Sequence, residues 1–356
     1  MKWIAGGVTA AKGFKASGVS AGIKRSRKPD LALVVAEQPV TAAAVFTKNR
    51  VQAAPVLISK RRVRRGRATA IFINSGCANC LTGDAGMQDA LVLSRAVACE
   101  LGVADDEVLV ASTGVIGRRL PVPRIQRAIP PLVGQLGRAN HAAAASAILT
   151  TDAAIAPGLL RVLLQAATAR TFNRISVDGD MSTNDTVFAL ASGRSGCTIR
   201  RGSAGERRFA AMLEAVSGKL ARLIVKDGEG AERIMDVEVV GARSEQEAAA
   251  CARQVANSPL VKTMLAGGDP NVGRIAAAVG ASAARYDADE LEIHIGAQRV
   301  VAHGTALRLP KTVARELLSR PEVAVRINLH AGRAEGRMLA CDLTEQYVQI
   351  NARYST

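Results

Sequence analysis

A chain of 356 residues, 48% apolar but only 3% aromatic, is long enough for two domains or one large layered domain, with a core of Ala, Val, Leu and Ile rather than rings. Its 47 basic against 31 acidic residues give a net charge of +16, carried by 36 Arg and 11 Lys, which favours anionic partners and decides nothing about fold. This composition excludes a disordered chain, and the absence of any 18-residue apolar run excludes a membrane-spanning helix.

The opening stretch from Met1 reaches Gly6-Gly7 too soon to hold a secretory apolar segment, so a cytoplasmic protein is expected. Six Cys scattered through the chain agree with a reducing compartment. Short Val- and Ile-rich runs then alternate with segments of helical period, the pattern of a layered α/β protein. Leu31-Ala32-Leu33-Val34-Val35, Ala70-Ile71-Phe72-Ile73 and Val108-Leu109-Val110 read as buried strands. Between the last two, Leu93, Ala96, Val97 and Leu101 recur at helical spacing until Gly102 ends the helix. Leu159 to Ala169 and Phe209 to Leu220 read as further helices, the second running into a strand at Leu223-Ile224-Val225. Strands are expected again at Arg299-Val300-Val301, Val323 to Ile327 and Tyr347 to Ile350. The acidic, Ala-rich helix that begins at Glu245 suggests a boundary there, giving a larger domain over 1–244 and a smaller C-terminal α/β domain over 245–356.

Six segments carry candidate chemistry. Lys60-Arg61-Arg62-Val63-Arg64-Arg65-Gly66-Arg67 is either a nucleic-acid patch or a solvated turn, and the turn is favoured because no aromatic interleaves the charges for base stacking. Cys77-Ala78-Asn79-Cys80 has zinc or redox spacing, but neither a second pair of Cys nor a pair of His completes a tetrahedral set, so two buried thiols are favoured and no metal is expected. Asn74-Ser75-Gly76 and Ser112-Thr113-Gly114-Val115-Ile116-Gly117 end strands in polar, glycine-rich turns that can aim donors at an oxyanion or simply turn. Ser176 to Thr186 packs three carboxylates and four hydroxyls into eleven residues, either a catalytic or cation-binding turn or a hydrogen-bonded structural one. Lys226-Asp227-Gly228-Glu229-Gly230 exposes a carboxylate suited to an ammonium, or is a turn with solvated acids.

Taken in order, these segments resemble the ornithine acetyltransferase family of arginine biosynthesis, also called the bifunctional glutamate N-acetyltransferases. The resemblance runs from Gly7-Val8-Thr9-Ala10-Ala11-Lys12-Gly13-Phe14 through Ala44 to Arg50, Ser112 to Gly117, Thr171-Phe172-Asn173-Arg174, Asp178 to Thr186 and Asp269-Pro270-Asn271 to Ile350-Asn351-Ala352-Arg353-Tyr354. It implies a layered fold of the N-terminal-nucleophile type, with a C-terminal domain whose tail returns to the active site. It also implies a precursor that cuts itself before a Thr into α and β chains, two of each forming the assembly. That Thr, activated by its own freed amine, moves acetyl from N2-acetylornithine to glutamate, and acetyl-CoA can serve as a further donor. No bound cofactor and no membrane are implied. Thr113 and Gly114 would form the oxyanion hole, and Thr150 or Thr151, Glu229, Asn351 and Thr356 would line the amino-acid site.

One departure concerns the nucleophile itself. The family carries it in a motif of the form Met-Ile-x-Pro-Asn-Met-Ala-Thr-Met-Leu after a Lys-Gly-Ser-Gly run, and neither occurs here. Two Thr-Thr-Asp segments flank that block in the family, whereas this chain has the single copy Thr150-Thr151-Asp152. Alignment on the downstream copy puts Ala144, which has no hydroxyl, at the nucleophile's position, and Ser146 stands two residues on, roughly 6.6 Å along a strand. The resemblance therefore implies either acetyl transfer or an inactive homologue, of uncleaved chains, that keeps the binding scaffold.

Overall fold

The computed structural model describes residues 4–26, 28–139, 148–269, 271–308 and 310–353, the side chains of Lys311 and Ala314 excepted. In chain order the first elements are β1 (Phe14–Val19), β2 (Leu31–Phe46), α1 (Ala54–Arg62), β3 (Arg67–Cys77), α2 (Gly83–Leu101), β4 (Val108–Val115) and α3 (Val122–Gly134). Then come β5 (Ile148–Thr151), β6 (Ala154–Ile155), α4 (Pro157–Arg170), β7 (Ile175–Ser176), β8 (Thr186–Ala191), β9 (Thr198–Ile199) and α5 (Ala204–Lys226). The last third holds β10 (Ile234–Ala242), α6 (Glu245–Asn257), α7 (Pro259–Gly267), α8 (Val272–Gly280), β11 (Glu292–Ile295), β12 (Gln298–Ala302) and β13 (Thr305–Ala306). It closes with α9 (Lys311–Leu318), β14 (Glu322–Asn328), β15 (Ala334–Cys341) and α10 (Glu345–Arg353). Two compact units result, one of Met1–Thr168 and Met181–Ala215, the other of Ala169–Asp180 and Val216–Thr356, and residue 245 lies inside the second.

The first unit is built on a six-stranded sheet in the order β4-β3-β2-β8-β5, with β1 also paired to β2. Period-2 alternation sends Leu31, Leu33, Ala70, Phe72, Val108 and Val110 to one face, where Leu93 and Val97 of α2 and Ile125, Ile129 and Leu132 of α3 cover them. Ala32, Val34, Ile71, Ile73 and Leu109 point the other way, into a cluster with Phe14 and Phe188. Burial on both faces is why these strands read as continuous apolar runs, and each such Leu, Ile or Phe contributes about 1.5–3 kcal/mol. Strand β2 bends at Glu37-Gln38-Pro39, where its pairing with β3 jumps from Val35↔Ala70 to Val40↔Ala68, because Pro39 has no N–H to give the ladder. Helix α2 stops at Gly102, whose φ of 66° suits glycine.

The second unit has a seven-stranded sheet, β13-β12-β11-β14-β10-β15-β7. Met235, Val237 and Val239 of β10 alternate inward with Val323, Val325 and Ile327 of β14, and α6 lays Ala248, Cys251, Ala252 and Val255 on them. Ser244 starts α6 by accepting the Glu247 N–H at 3.2 Å, a capping arrangement with Glu at the third position. On the opposite face of β10, Asp236 pairs with Arg337 and Glu238 with Arg326, so that face is polar.

Two expected strands are helical. Leu223-Ile224-Val225 continues α5, because Leu213, Ser217, Ala221 and Val225 form one buried line at i+4 spacing while Leu223 and Ile224 are exposed. Tyr347 to Ile350 lies in α10, which Thr344 starts by accepting the Tyr347 N–H at 3.4 Å, and Val348 is 60% exposed. In both places a short apolar run imitates a strand, and only the i+4 line or the cap distinguishes the helix.

The basic run Lys60–Arg67 is not a single solvated face. Arg62 is 4% exposed and donates to the Val108 carbonyl at 2.6 Å, to Asp105 Oδ1 at 2.8 Å and to Ser94 Oγ at 3.1 Å, tying α1 to β4 and α2. Lys60, Arg61, Arg64 and Arg67 remain exposed. Replacing Arg62 with Met deletes charged hydrogen bonds of about 1.5–3 kcal/mol, so calorimetry is expected to find the first unit's thermal midpoint lowered by roughly 3–12 °C. Arg61→Ala and Arg64→Ala are expected to move it by less than about 2 °C.

Candidate functional site

In the first unit the candidate oxyanion strand end is fixed by the parallel pairing of β3 and β4, which sets Ser75 opposite Thr113 and Gly76 opposite Gly114. Gly114 has φ 126°, and a Cβ built on it would come 2.6 Å from Cys77 N and closer still to the Gly76 carbonyl carbon. Only glycine fits there. Thr113 is exposed. Beneath it, Ser112 Oγ donates to Asn74 Oδ1 at 2.5 Å, and Asn74 Nδ2 donates to the Cys77 carbonyl at 2.8 Å. Asn184 Nδ2 donates to the carbonyls of Ala78 and Ser112, both at 2.7 Å, so one side chain of the acid- and hydroxyl-rich segment joins the Cys77 to Cys80 segment to the glycine-rich end of β4. The segment's neighbours are tied in the same manner, Thr47 Oγ1 donating to the Ser182 carbonyl and Asn49 Nδ2 to the Met181 carbonyl, both at 2.6 Å. An open, rigid strand end with an exposed hydroxyl can donate to a developing negative oxygen.

Cys77 and Cys80 are buried and turn to different acceptors, the Arg118 carbonyl at 3.2 Å and the Val51 carbonyl at 3.8 Å. Burial pushes the Cys77 thiol up, which opposes thiolate chemistry. Among the described residues no group of three or more His, Cys, Asp and Glu forms a metal site.

Thr150 and Thr151 close β5, and their hydroxyls serve local structure. Thr150 Oγ1 donates to the Val8 carbonyl at 2.8 Å, and Thr151 Oγ1 accepts the Ala153 N–H at 3.2 Å. The register carries Thr151 level with Ala191, Thr41 and Arg67, while Thr113 is level with Ser75. Eight residues of β3 separate those two levels, roughly 26 Å. The sheet therefore does not bring Thr150 and Thr151 beside Thr113 and Gly114. Ala144, Ser146 and Thr356 lie outside the described residues.

In the second unit Glu229 and Asn351 are brought together. Glu229 stands exposed in the loop between α5 and β10, and its Oε2 accepts from Asn351 Nδ2 of α10 at 2.8 Å. Asn351 Nδ2 also donates to the Tyr347 carbonyl at 3.0 Å. Burial first, and then the carboxylates of Asp178, Asp180 and Glu229, push the Tyr347 hydroxyl up. Tyr347 lies one turn of α10 before Asn351, so these carboxylates face the same end of the helix.

Comparison with known proteins joins these features to one family. The ArgJ family profile matches residues 15–154 and 147–356. The chain belongs to the ArgJ family. The arginine biosynthesis bifunctional protein ArgJ of Thermosynechococcus vestitus is 39% identical over 413 aligned positions, covering 99% of each chain. ArgJ of Caldanaerobacter subterraneus subsp. tengcongensis is 38% identical over 404, covering 100% of each. The crystal structure of ArgJ from Bacillus halodurans superposes with a TM-score of 0.56 at 40% identity, covering 58% of this chain and 97% of that one. Two details of the ArgJ matches bear on the chain's length. An alignment of 404 positions against 356 residues leaves at least 48 positions of the relative facing a gap. The two stretches matched to the ArgJ profile also share residues 147–154, which contain Thr150-Thr151-Asp152.

Several residues at these sites escape a reading of the sequence. Asn184 was one polar residue among many in its segment, and only the fold selects it. Lys262 and Asp342 are 2% and 3% exposed, and the one available signal was a lone Lys in the apolar run Leu260 to Leu265. The glycine pair yields a direct test of the strand end. Gly114→Ala, strained at its φ and clashing with backbone, is expected to cost about 1–3 kcal/mol or more, read as a lower urea midpoint with secondary structure retained.

Proposed function

We propose that this ArgJ-family chain acts in arginine biosynthesis on the acetyl transfer between N2-acetylornithine and glutamate, and that Glu229 and Asn351 bind the substrate's ammonium. The observation that carries the reading is the 2.8 Å contact between Asn351 Nδ2 and Glu229 Oε2. A carboxylate held by an amide keeps lone pairs for an incoming N–H, and the amide carbonyl supplies another acceptor. Thr113 and Gly114 act as the oxyanion donors, which in such sites are worth about 10²–10³ in turnover each. The same reading carries a cytoplasmic setting, a homo-oligomer and acetyl-CoA as a further acetyl donor, and uncleaved chains belong to the reading that follows. Among the described residues no helix is long and apolar enough to cross a membrane.

A second reading, binding without transfer, is favoured by two observations on the ArgJ matches. The doubly matched stretch 147–154 and the gap of at least 48 positions suit a chain that has lost the block between two Thr-Thr-Asp segments, where the family carries its nucleophile. Ala144 at the aligned position can neither attack a carbonyl nor cut the chain.

Three measurements on the purified protein decide between the readings. The denatured mass is expected to show one chain near 37.1 kDa rather than two fragments. Ornithine at a hundredfold excess over its Kd is expected to stabilise the fold by about 2.7 kcal/mol, and Glu229→Gln to abolish the shift. Acetyl exchange between N2-acetylornithine and glutamate then supports transfer, whereas stabilisation without exchange supports binding alone. A melting temperature indifferent to ornithine, N2-acetylornithine and glutamate, with no exchange, overturns both.

A further inference from the structure

We propose that Asp342 and Thr344, braced by the buried Lys262, are positioning residues that fix the distance between Glu229 and Asn351; this rests on reading that pair as the ammonium site. All of these residues lie in the second unit. The segment Cys341 to Thr344 leaves β15 and enters α10, the helix that carries Asn351. On its way it grips the Glu229 loop at two points. Asp342 Oδ1 accepts the backbone N–H groups of Glu232 at 2.9 Å and Arg233 at 3.2 Å, and Thr344 Oγ1 donates to the Gly230 carbonyl at 2.7 Å. Glu229 is therefore adjacent to one anchored residue and three positions from the next.

The grip leaves little slack. Gly230 has φ 68°, and a Cβ there would come 2.6 Å from Tyr347 N, so the loop's backbone lies directly on the first turn of α10. Thr344 Oγ1 also accepts the Tyr347 N–H, so one hydroxyl starts the helix that bears Asn351 and holds the loop that bears Glu229. Below, Lys262 Nζ donates to the Cys341 carbonyl, and Leu343 N donates to the Lys262 carbonyl at 3.3 Å. Arg233 Nη1 donates to the Ala266 carbonyl at 3.0 Å and lies 3.8 Å from Asp342 Oδ2. Burial lowers the Lys262 pKa, with Cys341 and Asp342 opposing it. A buried lysine and a buried aspartate serve here to hold backbone.

The test uses the full chain and ornithine as the probe. Asp342→Ala is the obvious variant but removes a buried acceptor, so Thr344 carries the experiment. Thr344→Val is expected to weaken ornithine binding by roughly fivefold, with a thermal midpoint within about 4 °C of the parent, and to speed hydrogen exchange of amides 229–233. Thr344→Ser, which keeps both the donor and the helix cap, is expected to bind within twofold of the parent and to keep those amides protected. Binding by Thr344→Val within twofold of the parent overturns the proposal, as does unchanged exchange of those amides. Failure of the underlying reading looks different. In that case the parent does not bind ornithine, or Glu229→Gln binds it as the parent does, and the positioning role falls with the site.

Discussion

The first unit depends on the pairing of one long strand. Strand β2 spans sixteen residues and runs against β1, β3 and β8, pairing with β1 over Leu31 to Ala36, with β3 over Leu31 to Val35 and again at Val40 and Thr41, and with β8 over Thr41 to Phe46. Because Pro39 breaks it in the middle, the two halves of the sheet are staggered rather than aligned. That stagger decides what can be a neighbour. It places the strand ends carrying Thr113 and Thr151 at different heights, although β4 and β5 run in the same direction. A shared polypeptide direction is thus no guide to a shared site, and the ladder register has to be followed residue by residue.

Above that frame, buried and half-buried polar side chains hold the loops. Ser59 Oγ donates to the Val110 carbonyl and accepts the Val110 N–H, Arg62 donates to the Val108 carbonyl, and Asn184 joins two segments through their carbonyls. In the second unit Asp342 does the same for the segment after Glu229. Ser59, Arg62 and Asp342 are buried and Asn184 is half-buried; each bonds main chain, while Asp342 Oδ2 is left without a hydrogen bond, and the geometry they impose is stiff. With only 3% aromatic residues, and Phe46 against Phe188 edge-on at 6.3 Å as the ring contact, this polar bracing complements a core of small aliphatic side chains.

How much of this was legible depended on the range of the interaction. Strands buried on both faces announce themselves, as Leu31 to Val35 and Ala70 to Ile73 do, because their apolar runs are local. The stop at Gly102 was equally local. Leu223 to Val225 and Tyr347 to Ile350 misread because three or four apolar residues satisfy a strand and a helix equally, and the deciding partners lie outside the window. Of the proposed site residues, Thr113, Gly114, Glu229 and Asn351 are reached through the family resemblance, and the structure pairs the last two without help from spacing, since 122 positions separate them. Arg62 shows the opposite failure. In sequence it is one of a run of like charges, and only the three-dimensional fold separates the buried member from its solvated neighbours.

The facing glycines of β3 and β4 have a consequence for how this protein can drift. A site made of a nucleophile and an acid is lost when either reactive group is replaced, and such losses are easy to recognise. The strand end at Gly76 and Gly114 is built from the absence of atoms: there is no room at Gly114 for a single carbon. It can be spoiled by the mildest replacement in the genetic code while every reactive group stays in place. A catalogue of functional groups would score such a chain as intact, and the damage would register only as a change of shape.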